Sequence, residues 1–531
     1  MTRILVVQMC RLGDVLQTTP MLRGLRREHP DAEITLVLHD GFAQVPLPSS
    51  LFDRLVPFPY AAIMESLRVA PESWPEQVER ARRWLAELGA GPFDLAINLT
   101  HTPLSSVLMS LVPAARVEGG LVAADRSHVV RGAWMTYFWS GRLARAQGCF
   151  NLVDLQNWAA GVRSDALPLE IEVPAAARES MAAWLQARRE AERPLLAVQL
   201  GASDDRKRWP PERVAAAIER LPRDFDVVMV GTRTERPLVE RALACLSRPV
   251  LDAAGQTSLP ELAALLERCV VLLTNDTGTM HVASAVGTRI VDLSTGPVFV
   301  HETGPYGEGH LVIEPATACF PCIAGSTCGH IGCRDAFSPG DVAGLVRHAL
   351  GLGERPTPAG ARILTGTFLP NGRIEYRTVW PEASRDERLR RLMARMWEST
   401  LPVPGAASTA DPDVPAESDP GDRPALEGLQ AVEAAALRAA AHAETIPAAP
   451  AARRASLLDA IRSETASMRR LAESEAACLP LVSYLELCLQ SCAITDLGAV
   501  AGIYRRELRA TARRARLLVD WMEGSGAGRP S

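Results

Sequence analysis

Short apolar runs alternating with charged, helix-forming stretches set the pattern of the first two thirds of this chain. Residues 3–9, Ile34–Leu38 and Asp94–Leu99 read as buried strands, with helical stretches such as Glu76–Leu88 between them. Arg11-Leu12-Gly13-Asp14 is a turn after the first strand, and the helix that follows runs through Leu25, with Pro20 acceptable near a helix start or kink. Strands alternating with helices predict a parallel sheet covered on both faces, placed here as a first α/β lobe over residues 1–165.

Pro168–Pro174 is a connector, after which the alternation restarts at Leu195–Leu200, Asp226–Val230, Val270–Thr274 and Arg289–Leu293. This second α/β lobe spans residues 166–355 and closes with a helix over Asp341–Leu350. Residues 356–400 form an extension: Arg362–Phe368 and Arg373–Thr378 flank Asn371-Gly372, the signal of a two-residue hairpin, and Asp386–Ser399 reads as a charged amphipathic helix. Residues 401–424, rich in Pro, Ala, Asp and Ser, read as a flexible linker. The remainder, 425–531, is dominated by Ala, Leu, Arg and Glu and predicts three or four helices in a small bundle, without a catalytic motif.

Composition narrows the class. A chain of 531 residues is too long for one ordinary core. Hydrophobic content of 47% with 22% charge is that of a globular protein, and a net charge of −5 makes no general case for nucleic acid. The apolar run Ile4–Met9 is short and ends in a charged turn, so it reads as a strand and not a signal peptide. No stretch approaches the roughly 18 apolar residues of a membrane span. These features predict a cytoplasmic protein with reduced cysteines, whose contact with the inner membrane would be peripheral.

The candidate chemistry centres on Thr274–His281, TNDTGTMH, between the apolar run Val270–Leu273 and Val282-Ala283. It reads as a strand, a tight turn and a helix start, whose backbone N–H groups suit a diphosphate, with Gly278 allowing close approach. An ordinary turn capped by Asp276 or Thr277 is the alternative. Three more pieces accompany it in order: RLGDVLQTTP at Arg11–Pro20, GASDDRKRWPPERV at Gly201–Val214, and GPVFVHETGPYG at Gly296–Gly307.

Together the four motifs resemble the family 9 glycosyltransferases, the ADP-heptose:lipopolysaccharide heptosyltransferases, over roughly residues 1–350. The resemblance implies a GT-B-like fold, two doubly wound Rossmann-like lobes facing a cleft, to which this chain adds its C-terminal α-helical bundle. It further implies inversion in a single displacement, with Asp14 of the GD turn as general base. A carboxylate at a cleft suits deprotonation of an acceptor hydroxyl, although by position alone Asp14 reads as a helix cap. Gly13 would let the acceptor approach.

Lys207 is expected to neutralise the leaving ADP, with Arg206 and Arg208 as its candidate neighbours; Trp209 reads as packing. Asp276, Thr277 and Gly278 are expected to hold the diphosphate and sugar, with Thr279 adding a hydroxyl and His281 lining the donor site. Glu235, in the segment opened by Gly231, is the candidate contact to the nucleotide ribose. Arg11 and Thr18 would face the cleft, and Glu302 the sugar. No Asp-x-Asp pair stands in these motifs, so no catalytic metal is expected.

Cys319, Cys322, Cys328 and Cys333 crowd four of the chain's 11 cysteines into one loop. Four thiolates can close a shell around structural zinc or iron, and a loop of reduced thiols or one redox-sensitive pair is the other reading. Arg505, Arg506, Arg509, Arg513, Arg514 and Arg516 load one late helix with positive charge. It would attract anionic lipid or a phosphorylated acceptor, or else be a solvated face paired with acidic neighbours. The bundle could also support oligomerisation. Transfer of heptose from ADP-heptose to a lipopolysaccharide inner-core acceptor is the leading expectation. A protein acceptor (an autotransporter or flagellin) and a non-catalytic nucleotide-binding scaffold are the alternatives.

Overall fold

Alternate side chains of the central strands feed different cores, which is what a parallel sheet buried on both faces requires. In β1 (Arg3–Gln8), Ile4 and Val6 enter one core while Leu5 and Val7 enter the other. The computed structural model describes residues 1–69, 73–89, 91–141, 145–322, 328–381, 385–404, 422–491 and 497–523.

The first sheet comprises β1, β2 (Glu33–His39), β3 (Arg54–Phe58), β4 (Phe93–Asn98), β5 (Ala114–Val122) and β6 (His128–Arg131), in the order β3-β2-β1-β4-β5-β6. All neighbours are parallel except the β5–β6 edge pair. The single helix expected after the Arg11–Asp14 turn and through Leu25 is two helices, Leu12–Gln17 and Thr19–Glu28, and the first begins within the expected turn. Pro20 lies in the first turn of the second, where its missing N–H costs nothing.

The second sheet is built from β7 (Leu195–Gln199), β8 (Asp226–Val230), β9 (Leu251–Asp252), β10 (Cys269–Asn275), β11 (Arg289–Leu293), β12 (Leu311–Pro315), β13 (Ala361–Phe368) and β14 (Ile374–Trp380). Its order is β14-β13-β12-β11-β10-β7-β8-β9. The apolar pattern passed over β12, because its run is only three residues before Glu314-Pro315. The hairpin β13–β14 is no separate extension: it adds two antiparallel strands to the edge of this sheet at β12. Its loop has three residues and not two. Leu369 N–H donates to the Arg373 carbonyl at 2.8 Å, and Pro370-Asn371-Gly372 lies between, with Gly372 at φ +84°. Proline at the second turn position and a left-handed glycine last is the common three-residue hairpin.

Helix Arg385–Thr400 buries Leu392, Met393, Met396 and Trp397, and four more helices follow: Arg423–Thr445, Ala451–Ser474, Leu479–Gln490 and Leu497–Met522. Their core is continuous with that of the first-lobe helices Ala133–Ser140 and Leu152–Ala160, through Trp134, Tyr137, Phe150 and Trp158. Tyr137 and Trp397 meet edge to face at 5.3 Å, and Trp134 Nε1–H donates to the Pro402 carbonyl at 2.6 Å. Most of the stretch expected to be a linker, 405–421, lies outside the described residues.

The arginines of the last helix are largely matched by acids. Arg505 and Arg509 reach Glu444, Arg506 reaches Glu507, and Arg516 lies between Asp520 and Glu433. Arg514 is buried, with its guanidinium 4.9 Å from the Trp397 ring centre and 4.7 Å from that of Tyr484. No helix among the described residues is long and apolar enough to cross a membrane.

Candidate active site

The lobes meet where two helices that follow central strands pack against each other: Leu12–Gln17 after β1 and Gly278–Ala285 after β10. Both motifs therefore fall at the carboxyl ends of their sheets, where ligands of doubly wound folds bind. The crossing is close-packed at its two glycines, most tightly at Gly13. A Cβ on Gly13 would stand 2.5 Å from the His281 ring, and one on Gly278 3.1 Å from the Leu12 side chain. Gly13→Ala is expected to push the helices apart and cost about 1–3 kcal/mol. Denaturant unfolding together with activity at the same temperature would check it, an unchanged midpoint with full activity being the contrary result.

Asp14 stands at the third position of its helix, and its carboxylate accepts the Arg11 backbone N–H at 3.0 Å. The capping reading therefore holds, and the same carboxylate lines a small cavity between the lobes. Gln8, His101, Phe138, Arg145 and Glu302 also line that cavity. Burial raises the Asp14 carboxyl above its ordinary range, while the Arg11 N–H and the Arg11 charge work against the rise, as does His281 only when its ring is protonated. His281 is itself buried and held below the ordinary imidazole range, so the ring is neutral near pH 7. Burial and the neighbouring Asp14 push the Cys10 thiol up to about 12, which leaves it no role as a nucleophile.

On the facing lobe, Lys207 Nζ donates to the Asp276 carboxylate at 2.5 Å. Asp276 cannot itself bind a diphosphate, since a carboxylate only accepts hydrogen bonds and repels an anion. It holds the lysine at the turn after β10. Thr277 caps the following helix by accepting the Thr279 N–H at 3.1 Å, so its hydroxyl is engaged in shaping the turn. Glu235 accepts from Thr232 N–H at 2.6 Å and from Gln199 Nε2 at 3.2 Å, and lies against Gly201 and Gly231 at the ends of β7 and β8. That places a carboxylate at the strand ends where a nucleotide ribose binds in such sheets.

Other expected contacts are turned elsewhere. The Arg208 guanidinium donates back to the Ala202 carbonyl at 3.0 and 2.9 Å, so it braces its own loop and does not point at a donor. Thr18 is buried and donates to the Asp14 carbonyl at 2.8 Å, knitting the helix and not facing the cleft. Arg206 pairs with Asp204 at 2.7 Å. Trp209 is fully buried against Phe337 at 5.4 Å. Glu302 makes a two-pronged pair with Arg145, at 2.6 and 2.7 Å.

Three residues that the motifs did not flag matter to this geometry. Arg145 crosses from the first lobe to Glu302 on the second, and no pattern around it in the sequence signals this. Ser203 accepts from the Arg11 guanidinium at 2.8 Å, a second bridge across the cleft. Asn275 accepts the Trp209 N–H at 3.0 Å and donates to the Leu200 carbonyl at 2.9 Å, tying the Lys207 loop to the Asp276 turn. Its place before Asp276 in TNDTG was the available signal.

Deeper in the second lobe Asp292 is fully buried, with one oxygen bonded to Ser294 at 2.6 Å and the other unpartnered. Burial and the charge of Asp276 raise its carboxyl to about 8. Because the folded value lies above the unfolded one, the stability that the protonated form brings is complete below about pH 4 and is lost as pH rises through about 8. Asp292→Asn should accordingly gain melting temperature relative to the parent more at pH 9 than at pH 6. Equal differences at the two pH values would refute it.

Among the described residues no group of three or more His, Cys, Asp or Glu side chains is placed to hold a metal ion, while the Cys322 thiol feels those of Cys333, Cys328 and Cys319. Cys319 is exposed, Cys322 and Cys328 are half-buried, and Cys333 is buried. Residues 323–327 lie outside the described residues. The four-cysteine loop is tied to the Lys207 segment and the chain after β11. Cys322 N–H donates to the Gly296 carbonyl at 3.1 Å, Arg334 bonds the backbone and side chain of Asp205, and the Arg334 carbonyl accepts from Trp209 Nε1 at 3.0 Å.

Two Rossmann-like lobes facing each other across a cleft form a GT-B-type architecture. The sequence signature of glycosyltransferase family 9 (heptosyltransferase) matches residues 59–328, about half of the chain, and the chain belongs to that family. The matched span contains the Lys207 loop, the Asp276 turn and the Glu302 segment, whereas the Asp14 turn precedes it. Among curated relatives, lipopolysaccharide heptosyltransferase 3 of Escherichia coli is 24% identical over 53% of this chain and 80% of its own length. Lipopolysaccharide heptosyltransferase 1 of Pseudomonas aeruginosa is 25% identical over 60% and 86%. A family 9 glycosyltransferase from Veillonella parvula shares the fold, with a TM-score of 0.53 at 23% identity, over 66% of this chain and 98% of that one.

Proposed function

We propose that this enzyme transfers heptose from ADP-heptose to a lipopolysaccharide inner-core sugar by a single inverting displacement. The observation that carries the reading is the placement of Asp14 and the Lys207–Asp276 pair on facing lobes around one interlobe crossing. The curated relatives supply the substrate class, being lipopolysaccharide heptosyltransferases.

In this reading Asp14 takes the proton from the acceptor hydroxyl as it attacks the anomeric carbon. Burial favours this, since a carboxyl raised above its ordinary range is the stronger base once ionised. The C–O bond to ADP breaks as the new glycosidic bond forms, and its electron pair leaves on the diphosphate. Lys207 and the first turn of the helix Gly278–Ala285 meet that charge. When the donor enters, Lys207 exchanges part of its bond to Asp276 for phosphate oxygens, and the carboxylate remains to accept from sugar hydroxyls. Glu235 accepts from the ribose. His281, neutral and against Gly13, keeps the crossing dry and adds no charge.

The test is ADP release from ADP-heptose by purified protein, with and without heptose-deficient lipopolysaccharide core. Acceptor-dependent release supports the reading. Donor binding without transfer to that core overturns the acceptor and directs attention to protein acceptors, while no binding of ADP-heptose overturns the donor.

A further inference from the structure

Apart from Asp14, the charged residues lining the cavity are one pair contributed by different lobes, Arg145 and Glu302. Arg145 belongs to a short turn of the first lobe, Arg145–Gln147, and Glu302 to the helix Val300–Thr303 of the second. Both guanidinium prongs are used, Nε to one carboxylate oxygen at 2.7 Å and Nη2 to the other at 2.6 Å. The guanidinium also lies 4.4 Å from the Phe299 ring centre, so its plane is fixed from a second direction. Arg145 and Glu302 line the same cavity as Asp14.

We propose that Arg145 and Glu302 are a positioning pair that holds the two lobes closed over Asp14 and sets the electrostatic environment in which that carboxylate works. The inference rests on Asp14 being the base. Its physical basis is the balance of charge at the crossing. Asp14, Glu302 and Asp276 bring three carboxylates close to the path of an anionic donor, and Lys207 is already committed to Asp276. Arg145 feels Asp14 and Asp276 as well as its partner, so it is the cation shared between the lobes. A two-pronged pair in a partly dry cavity has the geometry to favour one interlobe arrangement over others.

The groups that face Asp14 are Arg11 and Cys10 from its own turn, His281 from the facing helix, Glu302 from the second lobe, and His101 and Arg145 across the cavity. Of these, Glu302 raises the Asp14 carboxyl and Arg145 opposes it. The two single neutral variants therefore carry opposite signs. Glu302→Gln removes a negative charge and leaves Arg145 unpaired, which moves the acid limb of kcat/KM to lower pH. Arg145→Gln removes the positive charge and moves it to higher pH, each by roughly half a unit to one unit.

The experiment is a pH profile of acceptor-dependent ADP release, with ADP-heptose and heptose-deficient lipopolysaccharide core, for the parent, Arg145→Gln, Glu302→Gln and the swap Arg145→Glu/Glu302→Arg. Asp14→Asn is run beside them. We expect opposite displacements of the limb, a loss of roughly tenfold or more in kcat for each single variant, and partial recovery in the swap. Limbs that stay in place, or shift in the same direction, with Asp14→Asn inactive, overturn the pair and leave the base assignment intact. Full activity in Asp14→Asn overturns the assignment of the base itself. Melting temperatures of all variants separate misfolding from either result, and Arg145→Lys, which keeps the charge and loses the fork, should hold the limb in place while lowering kcat.

Discussion

Asp14→Asn is expected to lower heptose transfer by about 10²–10⁴-fold while ADP-heptose still binds. Asparagine is nearly the same size and can still accept the Arg11 N–H, so the turn and the cavity should persist. What disappears is a group able to take a proton. The parent should show an acid limb in kcat/KM above the ordinary carboxylate range, because burial disfavours the ionised form and the base must be ionised to act. Activity therefore falls as pH drops through that raised value, and the variant's residual activity should show no such limb. Calorimetric titration of ADP-heptose alongside turnover gives the check. Loss of donor binding in step with turnover would mean that the substitution damaged the cleft and not the chemistry.

Lys207→Ala is the second large effect, expected at about 10²–10³-fold in kcat together with weaker donor binding. The alanine removes the cation that meets the leaving diphosphate. It also strips the mostly buried Asp276 of its 2.5 Å partner, so a carboxylate faces the phosphates instead of a neutralised pair. The double variant Lys207→Ala/Asp276→Asn should therefore bind ADP more tightly than Lys207→Ala alone while remaining slow. Equal affinities for the two would show that Asp276 does not face the diphosphate. Lys207→Arg should not restore full activity, since the planar fork cannot occupy the place of a compact ammonium.

The parallel lobes were legible because buried strands are continuous apolar runs and the intervening helices carry charge. The motifs were legible because a tight strand–helix turn needs particular residue types at adjacent positions: Gly13 beside Asp14, and Asp276-Thr277-Gly278 at the helix start. Arg145 was not legible. Its partner is 157 residues away, and nothing local distinguishes it from any other arginine. Arg208 misled for the complementary reason, since a basic residue beside Lys207 looks like a phosphate ligand until the loop folds its guanidinium onto the Ala202 carbonyl. The cysteine cluster also promised more than the described residues deliver, because spacing brings thiols near each other without fixing where each Sγ points.

The C-terminal region shows the division most clearly. Its alanine and leucine periodicity specified helices, and four follow helix Arg385–Thr400 among the described residues. Where those helices pack is decided by surfaces far apart in the chain, the aromatic face of Trp134, Tyr137 and Trp158 on the first lobe meeting Trp397 and Tyr484. By itself the sequence determined the two lobes, the turns at their strand ends and the residue types offered there, since these follow from local periodicity and backbone geometry. Only the tertiary structure decided which charges meet across the cleft, that the hairpin completes the second sheet, and that the bundle shares the first lobe's core. Those outcomes depend on burial and on pairing between distant segments, for which local patterns carry no term.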